Sequence, residues 1–289
     1  HGINMTSMED TMLMSYVLDA GKNRHNMDTL SEIHLNHKTI SFKDLVGTGK
    51  KEINFSEVDV EKAKDYAAED ADITFRLYKK FQKSLKDEKM INIYEIFEKP
   101  LLKILAFMEI EGVKIDNKFL KSLSTKFEKK IVKIQNEVFK ISKKEFNIAS
   151  PKQLGEILYN DLKIADLKKT KKGSFATSAS VLEDLAFKGH KFPQLVLDWR
   201  QVSKLKNTYS DSLPEHINPN TQRVHTSFLL AATTTGRLAS SDPNLQNIPI
   251  KSEDGKDIRK AFIAKKDHVL ISADYNQIEM RILADLADV

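Results

Sequence analysis

The chain has 289 residues, no cysteine and a formal net charge of +5 at pH 7. Its length suggests about two domains, and its mild basic excess makes nucleic acid a reasonable partner. The lack of cysteine excludes disulfides and thiolate metal sites, and no apolar run approaches the roughly 18 residues that a membrane span needs.

The cysteine-free composition suits a reducing compartment, so we expect a cytoplasmic protein that has no membrane partner. The sequence shows no signal-peptide pattern. It begins with His1 rather than Met, so we expect that the natural N-terminus lies upstream.

Residues 1–87 form the first predicted block. Their apolar spacing predicts short helices at Glu9–Leu18 and Met27–Leu35. The stretch Gly47–Lys50 lacks the full GxxxxGK[ST] pattern of a phosphate-binding loop, so we interpret it as a turn.

A longer predicted helix follows and runs to about Phe81. Tyr66 and Asp70 are four residues apart and therefore share one helix face. The same face is continued into a core by Ile73, Leu77 and Phe81. Burying a phenol and a carboxylate on the core side costs free energy unless these groups have polar partners. The explanation is either a Tyr–Asp hydrogen bond within a packing face or a functional carboxylate.

Residues 88–116 connect this block to the next. Apolar residues recur with helical spacing at Leu101, Ile104, Leu105 and Met108. This pattern predicts an amphipathic helix that ends at Glu111–Gly112. The following Val113–Asp116 is predicted to be a short strand.

Residues 117–217 are predicted to be mostly helical. Seven apolar residues between Leu120 and Ile141 recur at intervals of three and four, which indicates one long helix with a solvated lysine-rich face. Ser150 is expected to cap a helix that begins at Pro151. Residues 192–217 are predicted to be a helix pair, with Trp199 in a packing face.

A basic segment lies between two of these helices. Its lysines are Lys168, Lys169, Lys171 and Lys172, and a glycine and a serine follow. Such a segment can be a solvated loop, or it can contact phosphates and give salt-sensitive affinity that does not depend on base sequence.

Residues 218–289 contain two predicted strands, Val224–Leu230 and Val269–Ile271. The second ends at Asp274, and from Asn276 the pattern becomes helical, with one face expected to be buried: Ile278, Ile282, Leu283 and Leu286. A carboxylate where a strand gives way to a helix is well placed for a hard cation such as Mg²⁺. It can also be a simple helix cap.

Three stretches resemble one family of enzymes. Asp274–Arg281 (DYNQIEMR) is similar to motif A of the family A DNA polymerases, the bacterial DNA polymerase I type. Thr235–Leu238 (TGRL) and Asp242–Pro249 (DPNLQNIP) resemble the signature that precedes motif A. Tyr66–Thr74 (YAAEDADIT) resembles the third motif of the associated 3′→5′ proofreading exonuclease.

The resemblance implies a helix-rich α+β fold. Residues 1–87 would be the C-terminal half of a ribonuclease-H-like exonuclease domain. Residues 88–116 would be the connection and the start of the polymerase domain. Residues 117–217 would be a helical thumb, and residues 218–289 would be the first part of a palm, with its first strands.

The resemblance also implies roles for individual residues. Asp274 and the Tyr275 carbonyl would bind metal, and Asp70 would bind metal while Tyr66 orients the attacking water. The incoming nucleotide would contact Tyr275, Gln277 and Glu279, and Glu279 would exclude ribonucleotides. DNA would be contacted by Arg200, Lys204, Thr208, Arg237, Asn244, Gln246, Asn247, Arg281 and the four lysines of the basic segment. Lys251 stands where many relatives have arginine, and its ammonium is a point charge that cannot make the bidentate contact of a guanidinium.

The implied reaction is template-directed DNA synthesis in replication and repair, with proofreading by 3′→5′ hydrolysis. Its partners would be primer–template DNA and dNTPs, its cofactor two Mg²⁺ ions per complete site, and its state a monomer. The family's remaining metal ligands and triphosphate contacts have no counterpart here. We therefore expect an interior fragment that is inactive in both reactions, with an unpaired apolar strand edge.

Two other functions remain open. One is a nuclease whose polymerase half is vestigial, and the other is a DNA-binding protein without enzymatic activity. The second gives no reason for Glu279 and Arg281 to stay in register with Asp274.

Overall fold

A computed structural model describes residues 8–164, 175–250 and 252–288. It is rich in helices and contains one two-stranded sheet within these ranges, which agrees with the predicted helix-rich α+β class. The chain divides into two compact units. Unit 1 comprises residues 1–112 and 225–247, and unit 2 comprises residues 113–224 and 248–289. No helix among the described residues is long and apolar enough to cross a membrane.

Unit 1 is built from six helices in the described part of residues 1–112. They are α1 (Thr11–Asp19), α2 (Met27–Leu35), α3 (Phe42–Val46), α4 (Val60–Asp87), α5 (Ile91–Ile93) and α6 (Lys99–Glu111). Two short 3-10 turns, Gly49–Lys51 and Phe55–Glu57, precede α4, and a π-helical segment, Tyr94–Glu98, precedes α6. The predicted α2 has the observed bounds, and α1 begins two residues later than predicted.

The core of unit 1 forms along α4. Ile73, Leu77, Phe81 and Leu85 follow one another at four-residue intervals, so they lie on one side of the helix and are all buried. They pack with Leu13 and Met14 of α1, Leu30 of α2 and the fully buried Tyr94. The predicted core face of this helix is therefore confirmed.

A β-hairpin completes unit 1. Its strands β1 (Ser227–Leu229) and β2 (Ala239–Ser241) are antiparallel, with Phe228 opposite Ser240. The hairpin is held on α6 because the Phe228 N–H donates to Glu109 Oε1 (2.6 Å). Leu230 and Ala231, directly after β1, pack against the core along α4. Of the predicted strand Val224–Leu230, only Ser227–Leu229 is thus a strand.

Unit 2 is a second helical assembly. Its helices are α7 (Asn117–Ser142), α8 (Pro151–Glu156), α9 (Ala179–Phe187), α10 (Lys191–Leu205), α11 (Ser212–Glu215), α12 (Glu253–Arg259) and α13 (Ile278–Leu286). α10 packs against α7 and α9. The predicted cap is confirmed, because Ser150 accepts a hydrogen bond from the Gln153 N–H at the start of α8. α7 ends at Ser142, where Lys143 takes a left-handed conformation.

The predicted helix pair at residues 192–217 is wrong. A π-helical segment, Lys206–Asp211, joins α10 to α11 without a turn. Asp211 stabilises the segment by accepting from Ser124 Oγ (2.6 Å) and from Lys206 Nζ (2.8 Å). Between Lys191 and Leu213 the sequence contains no glycine, and its single proline, Pro193, lies in the first turn, where proline is tolerated.

Two predicted strands are not formed as strands. Val113 and Ile115 make only isolated bridges, to Val224 and Phe262. Val269–Ile271 pairs with no segment of the described chain, and its side chains are exposed. α13 begins at Ile278 rather than near Asn276 and buries no residue, so its predicted buried face is also wrong. A strand is stable only when a neighbour satisfies its backbone groups, and its own sequence cannot supply that neighbour.

Candidate nucleic-acid interface

The loop Thr233–Arg237 joins the two strands of the hairpin and carries the predicted DNA contact Arg237. Gly236 has φ +77°, a conformation that favours glycine. The Thr233 hydroxyl closes the loop by donating to the Arg237 carbonyl (2.8 Å). The Arg237 side chain is exposed. A cationic side chain therefore projects from a backbone of fixed shape.

Tyr16 of α1 contacts the same loop through its hydroxyl. Its hydroxyl donates to the Thr233 carbonyl (2.7 Å) and accepts from the Gly236 N–H (3.1 Å). Tyr16 was not among the residues predicted from the sequence. The available signal was a phenol in the apolar run of a helix, because a buried tyrosine hydroxyl normally has a partner.

The predicted contacts Asn244, Gln246 and Asn247 form a turn after β2. Asn244 Oδ1 accepts from the backbone N–H groups of Gln246 (3.0 Å) and Asn247 (3.3 Å). All three side chains are exposed. Unit 1 therefore places Arg237 just before β2 and these three residues just after it, which brings two distinct signature stretches to the two ends of one short strand.

The predicted thumb contacts lie in unit 2. Arg200 Nη1 donates to the Thr177 carbonyl (2.8 Å), and burial lowers the pKa of this guanidinium from its ordinary value. Lys204 and Thr208 are exposed and lie one turn apart, Thr208 within the π-helical segment. The predicted lysines Lys168, Lys169, Lys171 and Lys172 lie outside the described residues, as does Lys251.

Tyr66 and Asp70 lie on the same face of α4, as predicted. Burial raises the pKa of the Asp70 carboxyl, a hydrogen bond from the Tyr66 hydroxyl lowers it, and the charges of Asp28 and Glu69 raise it further. Burial, followed by the Asp70 charge, raises the pKa of Tyr66. Asp70 Oδ1 is buried without a hydrogen-bond partner. A buried, unsatisfied carboxylate oxygen is costly, so the site suits a ligand that would complete it.

Two exposed phenylalanines, which the sequence analysis did not select, surround Tyr66. The Phe42 ring stacks on Phe55 (5.8 Å between centroids), and the two rings lie 6.1 and 6.3 Å from that of Tyr66. They come from α3 and from the 3-10 turn before α4. No spacing in the sequence connects them with α4, so pattern analysis could not have found them.

Glu69 is a further neighbour of Asp70 that sequence analysis missed. It accepts from the Ile40 N–H (2.6 Å) and pairs with His37 Nε2 (2.7 Å). These bonds, the Ile40 N–H first, lower the pKa of Glu69. Glu69 therefore anchors the segment that leads into α3. Of the two adjacent carboxylates, Asp70 is the one with an oxygen that has no hydrogen-bond partner.

The motif A residues are exposed at the end of unit 2. Asp274 and Tyr275 lie in an irregular segment, and Glu279 is in the first turn of α13. Gln277 occupies the N-cap position of α13 with φ +52°, but its side chain makes no capping hydrogen bond. Arg281 Nε donates to the Asn276 carbonyl (3.0 Å), which braces the turn before the helix. The prediction that Asp274 lies at a strand-to-helix junction is therefore wrong, because the strand before it does not form.

We tested whether these residues fit the magnesium ions that the resemblance implies. Within the described ranges, no group of three or more Asp, Glu or His side chains is close enough to hold a metal. Asp70 and Asp274 each offer a carboxylate of the right chemistry, but neither gathers the several oxygen ligands that Mg²⁺ requires. The described residues do not form a complete metal site.

Comparisons with known proteins match two parts of the chain to family models. Residues 117–289 match the family model described as DNA polymerase family A, and residues 1–86 match a 3′-5′ exonuclease model. DNA polymerase I of Rhizobium leguminosarum is 49% identical over 289 residues, 100% of this chain and 28% of that protein. DNA polymerase I of Pseudomonas aeruginosa is 45% identical over 279 residues, 96% of this chain and 31% of that protein.

A solved structure is similar along nearly the whole chain. It is the POL domain of Pol1 from M. smegmatis in complex with DNA primer-template and dNTP. The TM-score is 0.79 at 31% identity, over 96% of this chain and 45% of that one. The chain spans less than a third of the length of the two curated relatives described above. Because the polymerase model matches more than half of its residues, the chain belongs to DNA polymerase family A.

Proposed function

We propose that the chain is part of a protein that acts in template-directed DNA synthesis, transferring nucleotides from dNTPs to a primer 3′-OH in replication and repair. We propose that these 289 residues alone are inactive in both synthesis and hydrolysis. We propose that residues 1–87 belong to a 3′→5′ proofreading exonuclease domain of ribonuclease-H-like fold. Residues 88–116 would connect it to a thumb (117–217) and to the first part of a palm (218–289). We further propose that it works as a monomer in the cytoplasm.

The observation that carries this proposal is the exposed Arg237 on a fixed loop, next to the turn of Asn244, within the part of the chain that matches the polymerase family. In the minor groove every correct base pair presents an acceptor in nearly the same place, purine N3 or pyrimidine O2. An arginine held there can test pair geometry without testing base identity. Such a test is what an enzyme that copies any sequence requires.

The other predicted residues take supporting roles in this proposal. Phosphates and sugars would be contacted by Lys204, Thr208, Arg200 and the basic segment. Such contacts position DNA without specifying its sequence. Gln277 and Glu279 would shape the nucleotide site, and Arg281 would brace it. Phe42 and Phe55 are partly exposed aromatic rings beside Tyr66, and unpaired bases would stack on them.

For the metals, we propose Mg²⁺, with two ions in each complete site. Asp274, with the Tyr275 carbonyl, would supply ligands to the synthetic site, and Asp70 would supply one to the hydrolytic site. Bound there, such ions activate an attacking oxygen and stabilise charge on the leaving one. Tyr66 itself would orient the attacking water through its hydroxyl.

The proposal is tested by DNA binding to the 289-residue chain, measured as fluorescence anisotropy of labelled duplexes between 50 and 200 mM salt. We expect tighter binding to a duplex with a recessed 3′ end than to a blunt duplex of equal length. We also expect affinity to fall with salt as phosphate contacts are screened. Equal affinity for the two duplexes would instead favour a DNA-binding protein without enzymatic activity.

A further inference from the structure

The loop with Arg237 rests on two separate points of the first helix and its following turn. The first is the Tyr16 hydroxyl, which bonds both the Thr233 carbonyl and the Gly236 N–H. The second is Gly21, at φ +81°, where a Cβ would lie 3.0 Å from both Cβ and Cγ2 of Thr234. A side chain at Gly21 would therefore be strained and would also press on the loop.

Tyr16 is itself held firmly. Its side chain is buried, and its ring meets that of His25 edge-on, with centroids 5.4 Å apart. His25 is also buried, and its Nδ1 bonds Ser15 Oγ (2.9 Å). The phenol therefore has little freedom to follow the loop. Its hydroxyl fixes where the loop lies.

These contacts join two parts of the chain that match different family models. Tyr16 and Gly21 lie in the part that matches the 3′-5′ exonuclease, whereas Thr233–Arg237 lies in the part that matches the polymerase family. Both parts belong to the same compact unit. The exonuclease-type segment thus contributes structure to a loop of the polymerase-type segment.

We propose that α1 and its following turn are a positioning element for the primer end, with Tyr16 and Gly21 holding Arg237 in the orientation that contacts DNA. The exonuclease-type segment then has a second role, independent of hydrolysis. This inference rests on the proposed function, because it assumes that Arg237 contacts the primer–template duplex. Tyr16 is a positioning residue, since it would act through the loop and not on DNA itself.

The first test compares Tyr16→Phe with Tyr94→Phe in the full 289-residue chain. Tyr94 is the matched control, because it is also buried in unit 1 and its hydroxyl also donates once, to Glu9, and accepts once, from the Asp10 N–H. Hydrogen exchange of a peptide covering Gly236 is the readout. We expect Tyr16→Phe to speed exchange roughly two- to twelve-fold, the range of one net hydrogen bond, and Tyr94→Phe to leave it unchanged.

The second test asks whether Tyr16 acts through Arg237. We expect Tyr16→Phe and Gly21→Ala each to reduce the preference for a recessed 3′ end over a blunt duplex, while Tyr94→Phe retains it. In an Arg237→Ala background the two substitutions should have no further effect on that preference, as a double-mutant cycle would show. A merely structural role would lower thermal stability in both tyrosine variants without this dependence on Arg237.

The outcomes separate this proposal from the proposed function. If the unsubstituted chain shows no preference for a recessed 3′ end, the proposed function fails, and the DNA part of this inference fails with it. Two results would overturn only this inference. In the first, the preference exists but Tyr16→Phe preserves it. In the second, Tyr16→Phe lowers the preference as much in the Arg237→Ala background as in the unsubstituted chain. Unchanged exchange at Gly236 in Tyr16→Phe would overturn it without any DNA present.

Discussion

His25 shows how a single buried side chain couples stability to pH. Burial lowers its pKa from the ordinary value, and the charge of Asp19 opposes that shift only in part. The unfolded chain therefore takes up a proton at a higher pH than the folded chain does. The free energy of unfolding should be constant well above about pH 6.5 and should fall as the pH drops through that value.

We expect His25→Phe to weaken this acid sensitivity, because it keeps an aromatic ring beside Tyr16 but removes the titrating group. The measurement is hydrogen exchange of α4 peptides, as a report on unit 1, between pH 7 and 5, after correction for intrinsic exchange rates. Burial also lowers the pKa of His34, so part of the slope should remain. The exposed His268 provides the control, and a slope that is equal in His25→Phe and His268→Phe would contradict the expectation.

Residue spacing predicted some of the candidate site and could not predict the rest. The four-residue interval between Tyr66 and Asp70 is enough to place them on one helix face. The same spacing does not show that Asp70 Oδ1 has no hydrogen-bond partner. Nor does it show that Glu69 bonds His37 and Ile40, because these two residues lie about 30 positions upstream. The role of Tyr16 could not be predicted either, because the hydrogen-bond partners of its hydroxyl are more than 200 positions away.

At the scale of elements, α4 is the helix on which the core of unit 1 depends. Leu77 is fully buried there, whereas Leu270 in unit 2 is 62% exposed. We expect Leu77→Ala to lower the free energy of unfolding by roughly 2–5 kcal/mol, through lost burial and a residual cavity. The same change at Leu270 should stay within about 0.5 kcal/mol. Urea unfolding followed by circular dichroism distinguishes them, and equal costs would refute the assigned burial.

Two ion pairs link α7 to α12. Lys126 Nζ lies 2.7 Å from Asp257 and Lys130 Nζ lies 2.5 Å from Asp254, yet the lysine side chains are about half exposed. Water and salt screen such pairs, so we expect a Lys126→Ala, Asp257→Ala double-mutant cycle to give a coupling of only about 0.2–1 kcal/mol. The coupling should shrink at 1 M salt, and a larger, salt-independent value would show that the pair is effectively buried.

Helix ends were easier to predict than strands because their signals are local. Ser150 before Pro151 and Gly112 after α6 each mark a boundary that the structure confirms. A strand depends on a partner elsewhere in the chain. Val269–Ile271 has the composition of a strand but pairs with nothing in the described ranges, while Ala239–Ser241, which no apolar pattern marks, pairs with β1.

At the scale of the whole molecule, the exposed apolar side chains of Val269–Ile271 and α13 are a liability. Ile271 is 86% exposed and Leu286 is 79% exposed. We expect Ile271→Lys to reduce self-association, because a charge on an unpaired edge opposes pairing with another copy. Sedimentation velocity over a concentration series measures this. Asn136→Lys, on the exposed face of α7, adds the same charge elsewhere and should have little effect.

The division into two units could not be predicted from the sequence. Predicted blocks follow the order of the chain, whereas unit 1 takes residues 225–247 from beyond a stretch of more than a hundred residues that belongs to unit 2. Glu109 illustrates the reason, since it accepts from the Phe228 N–H across 119 positions. Nothing near Glu109 in sequence indicates that partner.

The contact between Tyr16 and Gly236 also imposes an order in time. The two residues are 220 positions apart. At roughly 5–20 residues per second, a ribosome needs about 10 to 40 s to add that length. The first helix is therefore synthesised long before the loop that it contacts, and during that interval the Tyr16 hydroxyl lacks both Thr233 and Gly236 as partners. The shape of the loop is thus fixed only after the 220 residues that follow Tyr16 have been synthesised.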